Sequence, residues 1–201
     1  MNSIERDNLK KRFQGTNISP ESFLATDYLN HFNEIFMLLE MVADMPDMPE
    51  MVNELEYWKF RTYQEHFAES QLAEGPLAIK AYEASADDYR LPFDKLTGIL
   101  RQLIVVTISE AKGAVILNEP ERMAQSIHNS LAMMQRLHGA MNCIIHDQAD
   151  LLDQDAIDQL MVDSSDVFTP GQTADGVEGD CGSPETLSEQ DAIDRLMADM
   201  S

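Results

Sequence analysis

One apolar stripe limits the fold of this chain more than any other feature of the sequence. Large apolar side chains recur at spacings of four and three, the period of one face of an α-helix; they are Met123, Ile127, Leu131, Met134, Leu137, Met141 and Ile145. A second, broader stripe predicts another long helix from Pro92 to about Leu117, and its central members are Phe93, Leu96, Leu100 and Leu103. Two long helices joined by a few residues pack antiparallel.

Shorter helical patterns precede these two. A stripe with the same period predicts a helix from Pro20 to about Met45, with Ser19 as its N-cap; it contains Tyr28, Phe32, Ile35, Leu39 and Val42. The segments "MPEMVNELEYW" and "LAIKAYEAS" predict two short helices. Thr62 and Glu65 have the spacing of a capping box, and so do Asn118 and Glu121.

No segment sustains a period of two, so the sequence predicts an all-α fold without a sheet. We expect an antiparallel helical bundle over residues 19–150, either complete in one chain or completed by a second copy as a homodimer. Residues 1–18, with the basic cluster Lys10, Lys11 and Arg12, are predicted to be a disordered N-terminal arm.

Charge changes abruptly near the end of the last long helix. From Asp147 onward there are 15 acidic residues and one basic residue, Arg195. Residues 163–187 hold four glycines, two prolines and few large apolar side chains, which predicts a flexible acidic linker. The formal net charge of −22 argues against nucleic acid and anionic membranes as partners, and favours a partner protein with a basic surface.

The sequence lacks the patterns of several functional classes. Its longest apolar runs are far shorter than the roughly 20 residues that cross a membrane, and its start lacks the apolar middle of a signal peptide, so we expect a cytoplasmic protein. It contains no Gly-rich phosphate loop, no GxSxG turn and no Glu-x-x-His or HExxH pair. We therefore predict neither a cofactor nor a metal site.

A short phrase occurs twice near the end of the chain. "DQDAIDQLMVD" begins at Asp153 and "EQDAIDRLMAD" begins at Glu189. In the second copy, four apolar residues fall at i, i+3, i+4 and i+7 and share one helical face: Ile193, Leu196, Met197 and Met200. Residues 188–200 therefore predict an amphipathic docking helix, and residues 151–162 predict a first peptide-like helix, which has the alternative of continuing the last bundle helix.

The phrase resembles the short peptides that bind the response regulator CheY in the CheZ family of chemotaxis phosphatases and in the flagellar switch protein FliM. The matching positions are Gln190, Ile193, Asp194, Leu196 and Met197 in the second copy, and Gln154, Ile157, Asp158, Leu160 and Met161 in the first. The resemblance covers about a dozen residues per copy. It implies that the partner is a CheY-like receiver domain or another protein with a basic-rimmed apolar groove.

The resemblance also raises the question of catalysis. CheZ proteins carry an acidic residue and, four positions later, a glutamine that orients the water attacking the phosphoaspartate of the regulator. The nearest phrase in this chain, "RLHGA", has Arg136 and Ala140 at those positions. Glu121 and Gln125 have the required spacing and are the alternative candidates. We therefore expect a non-enzymatic adaptor of chemotaxis or flagellar control, with a response-regulator phosphatase or a helical interaction protein of unrelated function as alternatives.

Overall fold

A computed structural model describes residues 3–148 of the protein. This part of the chain is built from six α-helices and two 3-10 helices. The α-helices are α1 (Ser3–Lys11), α2 (Asn30–Asp44), α3 (Tyr63–Glu69), α4 (Gly75–Ala84), α5 (Asp87–Ile116) and α6 (Pro120–Ile145), and the 3-10 helices are Thr26–Leu29 and Pro49–Glu56. Residues 3–148 contain no strand, and only Ile18 and Ala25 form an isolated β-bridge. The predicted all-α fold is confirmed.

The core forms where α6 packs between α5 and α2. All seven members of the α6 stripe that the sequence predicts are buried, as are the central members of the α2 and α5 stripes. Only residues 117–119 connect α5 to α6, so the two helices run antiparallel. No helix within residues 3–148 combines the length and the apolarity that crossing a membrane requires.

The two long helices end in the same way. Asn118, which follows α5, has a φ of +56°; its N–H donates to Val115 O, and the next N–H, of Glu119, donates to Ala114 O. This pair of bonds is the Schellman motif, which satisfies the last carbonyls of a helix. The predicted capping box at Asn118 is therefore wrong: Asn118 ends α5, and Glu119 occupies the N-cap of α6 without a side-chain bond.

The predicted disordered arm over residues 1–18 is also wrong for the part that the structure describes. Ser3–Lys11 is helical, and Leu9, Phe13 and Ile18 are buried. Phe13 packs edge-to-face on Phe23, with ring centroids 5.0 Å apart. Burial of large apolar side chains supplies the free energy that orders this segment, so the folded body includes it.

Two helix starts differ from the prediction. Ser19 does not begin α2, because its hydroxyl accepts from the N–H groups of Glu21 and Ser22 and closes a tight turn; α2 begins at Asn30, after a 3-10 turn. α5 begins at Asp87, five residues before Pro92. The capping box at Thr62 is confirmed, since Thr62 accepts from Glu65 N–H and Glu65 accepts from Thr62 N–H.

Candidate functional site

All the predicted partner-binding residues lie outside the described residues. They are Gln154, Ile157, Asp158, Leu160, Met161, Gln190, Ile193, Asp194, Leu196, Met197 and Met200. The first peptide-like helix (151–162), the acidic linker (163–187) and the docking helix (188–200) lie outside them too. Their assignment stays a prediction.

The structure does describe the end of α6, from which these segments continue. Asp147 has a φ of +56°; its N–H donates to Ile144 O, and Gln148 N–H donates to Cys143 O. This is a second Schellman motif. The Tyr89 hydroxyl donates to Asp147 Oδ1 at 2.6 Å, and this bond, with burial adding to it, raises the pKa of Tyr89 to about 12. Because α6 is capped here, the alternative that the first copy continues α6 without a break is wrong.

The two catalytic candidates lie on the outer surface of α6. Glu121 and Gln125 are both exposed, one helical turn apart. The amide of Gln125 donates to Asn129 Oδ1 at 2.9 Å, which extends the polar row by a further turn. The pair is therefore accessible to a partner, and Gln125 would have to exchange this bond for one to water.

Residues 136–140, the RLHGA phrase, are only partly exposed. Arg136 is exposed, but Ala140 is buried in the core with 2% of its surface accessible. A glutamine at position 140 would face the packed interior instead of a partner. The "RLHGA" phrase therefore does not occupy a surface that can serve as a catalytic site.

A pocket of about 230 Å³ opens between α5, α4 and the segment that leads into α3. The aromatic walls come from Tyr28, Phe60, Tyr63, Tyr82 and Phe93. Gly98 in α5 leaves space, because a Cβ built there would meet nothing within 4 Å. The aromatic residues between positions 57 and 67 thus have different environments. Tyr63 and Phe67 are buried, Phe60 lines this pocket, and Tyr57 is 78% exposed.

Polar groups on α5 line the same pocket. The Tyr82 hydroxyl donates to Asp94 Oδ1 at 2.7 Å, and burial raises the pKa of the Asp94 carboxyl. Thr97 Oγ1 is buried and has no hydrogen-bond partner within residues 3–148. The Arg101 guanidinium lies 4.8 Å from the centre of the Phe60 ring, a cation–π contact. The pocket can hold a small planar group with polar edges, but its volume is below the roughly 300 Å³ at which most ligand sites begin.

The polar and small residues that α5 contributes to this pocket were not predicted from the sequence as a site. A signal was present: Asp94, Thr97, Gly98 and Arg101 fall at i, i+3, i+4 and i+7, a polar and small-residue face beside the apolar stripe of α5. That spacing alone does not tell which other segment packs against the face.

Two histidines, His31 and His66, lie beside Tyr28 in the wall of this pocket. His31 is buried; its Nε2 accepts from Arg61 N–H at 3.0 Å, and its ring stacks on Trp58 with centroids 4.9 Å apart. The ring of His66 lies 5.8 Å from that of His31. Burial lowers the pKa of both imidazoles, that of His31 to about 4. Residues 3–148 contain no group of three or more potential ligands placed to hold a metal ion.

Fold and sites together define the chain as an all-α helical protein with a strongly acidic C-terminal segment. No protein-family model matches it. Searches of curated proteins and of solved structures find no match either.

Proposed function

We propose that the protein is a cytoplasmic adaptor that binds a CheY-like response-regulator receiver domain through its C-terminal amphipathic segments, in chemotaxis or flagellar motility. The duplicated phrase at residues 153–163 and 189–199 carries the proposal, because both copies have the residues that resemble CheY-binding peptides. The capped end of α6 supports it, since the copies lie beyond a helix that ends at Ile145.

The expected strength suits a reversible regulatory interaction. Burying three or four apolar side chains gains roughly 1.5–3 kcal/mol each, and ordering the peptide takes back several kcal/mol, which leaves a Kd in the micromolar range for one copy. The predicted 25-residue linker has a root-mean-square span of about 25–30 Å. A receiver held by one copy therefore meets the other at raised effective concentration.

The test is a calorimetric titration of the full chain with purified CheY-type receiver domains, in phosphorylated and unphosphorylated form. Ile193→Glu puts a charge on the apolar face of the second copy, and in a chain that also carries Ile157→Glu in the first copy it should weaken binding at least tenfold. Ala198→Glu is the matched control, because it adds the same charge on the opposite helical face. Val162→Glu and Ile157→Glu form the equivalent pair in the first copy.

In a chain that carries Ile157→Glu, equal binding with and without Ile193→Glu or Leu196→Glu would refute the docking face. Absence of binding to every receiver domain would leave the third hypothesis, a helical interaction protein of unrelated function. Circular dichroism of the variants serves as the folding control, because the substitutions lie outside residues 3–148 and should leave the helices described there intact.

One observation favours a phosphatase as the second candidate: Glu121 and Gln125 are side by side on an exposed face of α6. This function requires that the protein accelerate phosphate loss from a phosphorylated receiver. Gln125→Ala should then abolish the acceleration without weakening binding, whereas Gln135→Ala, another exposed glutamine of α6, should not. A decay rate equal to that of the receiver alone would exclude the phosphatase.

A further inference from the structure

A groove with a basic character runs between α1 and α4. Its volume is about 450 Å³, and it is lined by Glu5, Asn8, Leu9, Arg12 and Lys80. Leu9 is buried and forms an apolar floor, while Arg12 and Lys80 are exposed. In a chain with a net charge of −22, a site with two cations and one carboxylate stands out from its surroundings.

Further cations adjoin this groove. Residues 6–12 contain four of the chain's 14 basic residues, Arg6, Lys10, Lys11 and Arg12. Arg6 packs over the Phe23 ring at 4.3 Å, and Lys10 forms an ion pair with Glu21 at 3.5 Å. Within residues 3–148 the structure gives no ion pair to Lys11, Arg12 or Lys80, so their charges are available to an acidic partner.

The chain leaves the described body close to this groove. Ser22 Oγ donates to Ile145 O at 2.6 Å, which places the end of α6 beside Ser22. The preceding residue, Glu21, forms the ion pair with Lys10 of α1. Ser85 Oγ donates to Ser22 O at 2.6 Å, which brings the end of α4 to the same point. Lys80 lies five residues before Ser85, or about 7.5 Å along a helix.

The segment that follows has the complementary composition. Residues 150–163 contain five carboxylates and no basic residue, together with large apolar residues: Leu151, Leu152, Ile157, Leu160, Met161 and Val162. From Gln148, an extended chain advances at most about 3.3–3.6 Å per residue, so this segment begins within a few residues' reach of the groove.

We propose that residues 150–163, which include the first copy of the repeat, dock in cis on the groove between α1 and α4. Carboxylates of the segment face Arg12, Lys80 and Lys11. The docking itself does not depend on a receiver. Its consequence rests on the proposed function: the body holds the first copy, and the second copy, more than 25 residues further on, is the one that meets a receiver first.

Hydrogen exchange of the full chain, followed by mass spectrometry without any receiver present, tests this inference. At low ionic strength, amides in residues 150–163 should be protected, and the protection should fall as salt screens the exposed charges. Arg12→Glu with Lys80→Glu should lower the protection about tenfold, the size expected for the loss of a few exposed ion pairs. The matched control is Lys95→Glu with Arg136→Glu, which changes the net charge equally at exposed positions elsewhere.

Each other outcome overturns the proposal. Equal protection in the two double variants would mean that the segment is ordered by itself or by other contacts. Protection of residues 189–200 in place of 150–163 would assign the groove to the second copy. Protection that rises with protein concentration would assign it to the segment of a second molecule. Because the experiment contains no receiver, a negative titration under the proposed function leaves its result unaffected.

Discussion

Acid should destabilise this protein through one buried histidine. His31 is 1% exposed, and its Nε2 accepts the backbone N–H of Arg61, so the ring is neutral in the folded state. Protonation would add a second hydrogen between the same two nitrogens and break this bond. Nδ1 is buried and has no partner within residues 3–148 that could stabilise a charged ring.

The size and sign of this destabilisation follow from the linkage between proton binding and folding. The pKa of His31 falls from 6.5 to about 4, mainly through burial, with smaller contributions from His66 and Arg61. Between these pH values the unfolded chain binds the proton and the folded chain does not, so the free energy of unfolding decreases as the pH falls. A shift of this size corresponds to about 3 kcal/mol, which is lost progressively from pH 6.5 down to 4.

Urea unfolding at pH 7, 6, 5 and 4 measures this loss, and the protein's single tryptophan supplies the signal, because Trp58 stacks on His31 and donates to its carbonyl. His31→Gln keeps an acceptor for Arg61 N–H but does not titrate. Its unfolding free energy should vary with pH by about 3 kcal/mol less than that of the wild type. His146→Gln, at an exposed position, is the control. Identical pH profiles for wild type and His31→Gln would refute the reasoning.

Three substitutions test the packing, each by urea unfolding. Gly75→Ala should destabilise the protein by about 1–3 kcal/mol, because the added Cβ would lie 2.6 Å from Phe67 O. Gly113→Ala should stabilise it by about 0.5–1 kcal/mol, because Gly113 lies inside a helix and its added Cβ would meet nothing within 4 Å. Changes of the same sign in the unfolding free energy of both variants would contradict the geometry. Ser22→Ala should cost about 1–3 kcal/mol, because it leaves the buried Ile145 carbonyl without the hydroxyl that bonds it, and a neutral result would mean that this carbonyl finds another donor.

Local signals predicted part of this fold well. Some elements depend only on residues that are close in sequence, so periodicity and spacing predict them; these are the stripes of α2, α5 and α6 and the capping box at Thr62. The N-terminal helix was missed because Phe13 packs on Phe23, ten residues later and outside the helix, a contact that helical periodicity does not reveal. Asn118 was misassigned because an asparagine suits an N-cap and a left-handed C-terminal residue alike, and only the backbone angles decide between them.

The pocket beside α5 was missed for a related reason. Asp94, Thr97 and Arg101 are polar residues on a helix surface, which by themselves indicate only a solvated face. They line a pocket because Tyr82 and Phe60, which belong to segments that precede α5, pack against part of that face. Sequence spacing can thus place side chains on one helical face, but tertiary packing decides whether that face is a site.

The two copies of the repeat differ mainly in where they are attached. Ser22 joins the connection before α2, the end of α4 and the end of α6 through two bonds of 2.6 Å, so the acidic segment starts from a fixed junction. The first copy begins five residues after Gln148, and the second begins 41 residues after it. For a flexible chain that can span the distance, effective concentration falls roughly as the −3/2 power of length, which gives the first copy an advantage of about twentyfold at a site within its reach, such as the groove proposed above. Two copies of equal intrinsic affinity would therefore divide their roles by position, with the near copy on the body and the far copy available to a partner.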